Sequence, residues 1–160
     1  MGRINRSGVD YSIPLEKNPR LRAKQAFNNM HKRCRSEHPD DRKKYKDKGI
    51  VVCERWATFE NFIEDMKECP VNKYLDRIDS SKSYYPENCR WVTINVQNWN
   101  RDWGPYRGVH KHTGGKWVAC LSYGGKTFYL GLYEDRDEAK AQYDSHAQII
   151  DWLIEGGFLQ

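Results

Sequence analysis

Asp76, Gln97, Asn98 and Asn100 fall within one stretch, YLDRIDSSKSYYPENCRWVTINVQNWNR, running from Tyr74 to Arg101. Their side-chain oxygens are of the kind that hold small divalent cations. A carboxylate and an amide oxygen converging from two elements make a hard oxygen site, suited to Mg²⁺ or Mn²⁺ rather than to zinc. Such convergence needs a compact scaffold, and the pattern predicts one as strand, turn, strand, helix. Leu75 to Ile78 alternates as a short strand, Ser80 to Glu87 has turn chemistry, and Cys89 to Thr93 reads as a second strand. Ile94 to Arg101 then opens a helix that carries the three amides.

At LDRID, PENCRW and Q-x-x-N-R the chain resembles the ββα-metal (His-Me finger) core of phage HNH endonucleases of the homing type, over roughly its first two thirds. The resemblance implies one divalent cation held by Asp76 and by a helix residue, best Gln97, with Asn98 or Asn100 in its place if the helix register shifts. It also implies that Asn88 is the central asparagine that pins the loop. One departure is chemically decisive, because Arg77 stands where that family has its general-base histidine. Arginine cannot accept a proton near neutral pH, although it can fork onto a phosphate and stabilise charge there. Either another residue is the base, with His31 the first candidate and Tyr45 or His38 next, or the protein binds DNA without cutting it.

The chain has 160 residues, a 38% apolar fraction and a net charge of +5, enough for two small domains. Met1 to Ile50 holds 14 Lys and Arg against 6 Asp and Glu, so the basic character sits in the first third. That asymmetry fits a polyanion partner, most simply double-stranded DNA. No apolar run approaches a membrane span and Met1 to Arg22 lacks a signal-peptide centre, so a cytoplasmic location is expected. The cysteines, Cys34, Cys53, Cys69, Cys89 and Cys120, are odd in number and lack a C-x-x-C pair. Buried free thiols are expected, with a structural Zn²⁺ on Cys34, Cys53, Cys89 and His31 or His38 as the alternative.

In chain order, Met1 to Asn18 reads as a flexible basic arm. Leu21, Ala23, Phe27 and Met30 mark a helix that turns Arg20, Arg22, Lys24, Lys32 and Arg33 outward. Arg42 to Lys48 is a basic patch around Tyr45, Ile50 to Val52 predicts a short buried strand, and Phe59, Phe62, Ile63 and Met66 predict a helix capped by Thr58. These complete an expected nuclease domain over 19–103.

Beyond a linker at Asp102-Trp103-Gly104-Pro105 the composition changes. Gly104 to Tyr133 contains no acid, whereas Glu134 to Glu155 holds seven. The first part alternates as three antiparallel strands, and Asp135 to Ile154 predicts one helix behind them. YRGV, GKWVA, YLGLY and DEAKAQYD, within Tyr106 to Ala147, resemble the ethylene-response-factor DNA-binding domain. That resemblance implies a sheet in the DNA major groove, with Arg107, His110, His112, Lys116, Trp117 and Tyr129 facing DNA. His110 and His112 replace residues that are usually arginine, so the base preference does not carry over, and Trp117 is alternatively a core residue. The expected whole is an α+β chain acting as a monomeric, site-selective DNA endonuclease with no small-molecule substrate, or as a DNA-binding regulator on the same scaffold.

Overall fold

A computed structural model describes residues 8–101 and 103–159; the start of the expected arm, Asp102 of the expected linker and Gln160 lie outside the described residues. The chain is α+β and divides into two compact units, Met1–Ile94 and Asn95–Gln160. Among the described residues no helix is long and apolar enough to cross a membrane.

The first unit is built on three helices and a hairpin. Helix α1 (Pro19–Arg35) starts where the Asn18 side chain accepts the Leu21 N–H at 2.9 Å, with Pro19 in the first turn, where no N–H is needed. A short α2 (Pro39–Lys44) follows, then α3 (Phe59–Met66), capped by the Thr58 hydroxyl. Ala23, Phe27 and Met30 of α1 are buried with Trp56, Phe59, Phe62 and Met66 in one cluster, in which Phe27 meets Phe59 and Trp56 meets Phe62 edge to face while Phe59 stacks on Phe62. Strands β1 (Tyr74–Arg77) and β2 (Cys89–Val92) pair antiparallel, setting Asp76 opposite Arg90 and Arg77 opposite Cys89.

Three expectations change here. The arm is not loose from Gly8 onward: Val9 is fully buried in the core and Asn18 is buried as the α1 cap. Ile50 to Val52 is not a strand, because its pairing is limited to one bridge between Val52 and Tyr84, and Val51 is exposed. Nor are all the α1 cations outward. Arg22 donates to the carbonyls of Cys69, Leu15 and Glu16, while Lys24 lies over the Phe27 and Phe59 rings.

The second unit opens in α4 (Ile94–Trp99), ahead of the expected linker. Trp99 is its anchor: the indole N–H donates to Asp151 at 2.7 Å and the ring meets Tyr123 edge-on. Strands β3 (Val109–Lys111), β4 (Trp117–Tyr123) and β5 (Lys126–Tyr133) form an antiparallel sheet in that order. A tight turn joins β4 to β5 through Gly124 and Gly125, both at positive φ as such hairpins require. Helix α5 (Arg136–Glu155) is capped by Asp135, which accepts from the Asp137 and Glu138 N–H groups. It packs on β4, burying Ala139 and Tyr143 with Val118, Ala119 and Leu121.

Gly108 holds this packing together at its closest approach. Its φ is +71°, and a Cβ there would lie 2.3 Å from both the Cys120 carbonyl oxygen and the Tyr143 ring. Gly108→Ala is therefore expected to destabilise the second unit by about 3 kcal/mol, through strain and overpacking together. Urea unfolding followed by tryptophan fluorescence measures it, and an unchanged midpoint would contradict this reading of the contact.

Candidate functional site

The β1–β2 connection is tied by one side chain. Asn88 is buried; its amide Nδ2 donates to the Asp79 carbonyl at 3.1 Å and the Ser83 carbonyl at 2.9 Å, and its Oδ1 accepts the Asp79 N–H at 2.9 Å. The Asn88 carbonyl also accepts the Ile78 N–H at 2.8 Å. The loop is thus closed from both sides, which fixes the register of the strands it joins. Within it Asp79 accepts the Ser81 hydroxyl and N–H and pairs with Lys82, and these contacts, the hydroxyl first, hold its carboxyl down at about 2.

On the strands themselves, Asp76 is 9% exposed, a carboxylate almost removed from solvent. Its oxygen lies 3.6 Å from Nε of Arg90, its cross-strand partner. That distance gives Coulomb attraction without a hydrogen bond. The Arg90 Nε–H is buried and has no hydrogen-bond partner among the described residues.

Arg77 is committed elsewhere. Its guanidinium covers the rings of Tyr84 at 4.9 Å and Tyr45 at 5.4 Å, which stack on each other, and Nη1 donates to the Lys82 carbonyl at 2.6 Å. Tyr84 is buried, and burial pushes its phenol upward. Tyr45 is thus a wall of this cluster. His31, on α1, engages its Nε2 with the Trp56 carbonyl at 2.9 Å and sets its ring edge-on to Phe27. In neutral form it carries the proton on Nε2, leaving Nδ1 as the acceptor. His38 is exposed at the start of α2.

Gln97, Asn98 and Asn100 belong to the second unit, on and just after α4. The Asn98 carbonyl accepts the Trp103 indole N–H at 3.2 Å, and Asn98 lines a cleft of about 360 Å³ with Trp99, Trp103, Tyr106, Arg107 and Tyr143. Arg107 is held inside this packing. Its guanidinium lies 4.0 Å over Trp99 and donates to the Trp99 carbonyl at 2.7 Å, and burial lowers its pKa. A cation on the last carbonyl of α4 also suits the negative end of the helix.

The remaining sheet candidates divide. His110, His112, Lys116 and Tyr129 are exposed, Tyr129 at 66%. His112 Nδ1 accepts the Gly114 N–H, and Lys116 pairs with Glu134. Trp117 is half-buried, with the Arg136 guanidinium of α5 over its ring at 4.9 Å and over Tyr106 at 3.4 Å. It is packed by α5 rather than held out from the sheet.

All five cysteines are free thiols, and burial pushes Cys89 up to about 12. Among the described residues no group of three His, Cys, Asp or Glu side chains is placed to hold a metal ion. Mg²⁺ asks for less, since it keeps several waters and takes one or two protein carboxylates with substrate phosphates. Asp76 is a carboxylate of that type.

Two residues matter that motif reading passed over. Arg90 was legible only through the strand register, which places it opposite Asp76. Trp99 sits between the amides that drew attention. Comparison of the chain with protein-family models, with curated proteins and with solved structures returned no match.

The Asp79 contacts carry a pH dependence of definite sign. A carboxyl whose folded pKa lies below its ordinary value of 3.8 adds stability above that value and loses it as pH falls toward about 2. The loop is expected to loosen over that acid window, with an Asp79 carboxyl titration midpoint by NMR at about 2. A midpoint at the ordinary value would contradict the arrangement.

Proposed function

We propose that this chain is a divalent-metal-dependent, site-selective DNA endonuclease that hydrolyses phosphodiester bonds. The observation that carries it is the nearly buried Asp76 carboxylate, held in register beside Arg90 by a hairpin whose loop Asn88 closes. Arg90 offsets part of the cost of burying this carboxylate, and at an HNH-like motif a carboxylate so placed would hold Mg²⁺ or Mn²⁺. Asp76 would hold the ion, with water and a substrate phosphate oxygen able to fill its other positions.

In hydrolysis, water adds to phosphorus, the bond to the leaving oxygen breaks, and that oxygen takes up a proton. A divalent cation held by Asp76 would supply charge neutralisation at the phosphate and the leaving oxygen. Asp76 keeps its charge throughout, as a ligand rather than a base. Asn88 keeps the strands aligned. His31, with Nδ1 as its acceptor atom, is the base we name, because Arg77 cannot take the proton.

DNA binding is assigned to the second unit's sheet. Arg107, Lys111, Lys116 and Lys126 lie between Gly104 and Tyr133 with no acid among them, and the acids gather at Glu134–Glu155. His110, His112, Lys116 and Tyr129 supply the exposed donors and aromatic surface for phosphate and base-edge contact, whereas Arg107 and Trp117 support the sheet from within. A second reading, a DNA-binding regulator that does not cut, is favoured by one observation: the residue in the base's place, Arg77, is bound to Tyr45, Tyr84 and the Lys82 carbonyl.

Incubation with supercoiled plasmid in Mg²⁺, Mn²⁺ or EDTA separates the two. Metal-dependent nicked or linear product is expected, reduced more than about 100-fold by Asp76→Ala, since a metal's charge stabilisation amounts to several kcal/mol. Tight binding without cleavage in every buffer would establish the regulator instead. For the sheet, Lys116→Ala with Tyr129→Ala is expected to weaken duplex binding and to reduce the salt slope by about 0.9, the share of one lysine–phosphate contact. Unchanged affinity in fluorescence anisotropy would remove the sheet from the interface.

A further inference from the structure

The hairpin presents two guanidinium groups, and only one is spent. Arg77 has its planar face on Tyr84 and Tyr45 and its Nη1 on the Lys82 carbonyl. Arg90 stands beside Asp76 at 3.6 Å, its Nε–H buried and unfilled, while its side chain as a whole keeps 26% exposure. A buried charged donor without an acceptor is unfavourable, and native structures tolerate it where a missing ligand completes it.

We propose that Arg90, not Arg77, is the residue that takes the DNA phosphate, its guanidinium held beside Asp76 with Nε buried and its exposed portion left to meet a non-bridging oxygen. The chemistry selects the ligand class. Guanidinium geometry matches a phosphate's paired oxygens, and the fixed positive charge of Arg90 favours an anionic phosphodiester over a neutral ligand. The exposed quarter of the Arg90 side chain is where such a ligand would meet it, whereas the Asp76 carboxylate lies 3.6 Å from the buried Nε, too far for a hydrogen bond. Asp76 thus orients Arg90 in the free protein without saturating it. This inference rests on the nuclease reading for its substrate, and it gives the phosphate-binding role to a residue of the PENCRW stretch to which the sequence reading assigned none.

The test is duplex binding by anisotropy in EDTA, with salt varied between about 50 and 200 mM. Arg90→Met is expected to bind more weakly and to lose about 0.9 from the slope of log K against log salt. Arg90→Lys should keep the slope, because the charge is retained. Arg55→Met, whose guanidinium is already bound to Asp65 and Glu64, should leave it unchanged and controls for net charge. Asp76→Asn should tighten metal-free binding several-fold by releasing Arg90, and Arg90→Met should erase that gain. Inorganic phosphate, at concentrations that leave the ionic strength constant, should compete poorly with the duplex; strong competition would mean a free-anion site and overturn the DNA assignment. A wild-type slope in Arg90→Met overturns the proposal, and if that variant does not fold, unchanged affinity in Asp76→Asn does so. Because neither metal nor cleavage enters these measurements, failure of the nuclease reading and failure of the Arg90 contact are read separately.

Discussion

The side chain on which the first unit's chemistry depends is Asn88. Its amide satisfies backbone groups on both sides of the β1–β2 connection, at Asp79 and Ser83, so one side chain ties the two ends of the loop together. That closure sets Asp76 opposite Arg90 instead of one residue off. A one-residue slip would turn each side chain of the strand to the opposite face. Few amide side chains are fully used in this way, and no other residue type offers two donors and an acceptor in the same small volume. A carboxylate kept 9% exposed beside a cation is consequently a product of loop geometry as much as of strand sequence.

Much of this was legible because local signals agreed with one another. The two strands, the turn between them, the Thr58 cap, the three-stranded sheet and its helix follow from alternation, Gly turns and helical periodicity, and the structure has each of them. What escaped depended on contacts between distant residues. Ile50 to Val52 has strand composition, yet only Val52 finds a partner, and β-propensity without a neighbouring strand does not make one. Val9 and Asn18 look like a polar arm until α1 and its surroundings bury them. The Arg107 contacts with Trp99 and Tyr143, and the Arg136 guanidinium over the Trp117 ring, likewise join residues that no local pattern connects.

The two units distribute their cations differently. In the first, several arginines stabilise the fold: Arg22 on three carbonyls, Arg55 forked onto Asp65, Arg77 on a tyrosine pair. Net charge alone therefore overstates the positive surface, since an arginine so engaged offers a polyanion little. In the second, Lys116 is held by a rim ion pair with Glu134, while Lys111 and Lys126 sit exposed on the strands. Exposed pairs of this type contribute little stability and exchange readily for phosphate. Arg90 belongs to neither pattern, being near a carboxylate yet without a hydrogen bond at Nε.

The most direct test of the account is a Mn²⁺ titration followed by electron paramagnetic resonance, on the full chain and on Asp76→Ala. The account predicts one tightly held ion in the parent protein that the variant does not hold, with the variant otherwise folded. Equal Mn²⁺ binding by both proteins would place the ion elsewhere and contradict the assignment of Asp76 as its carboxylate ligand.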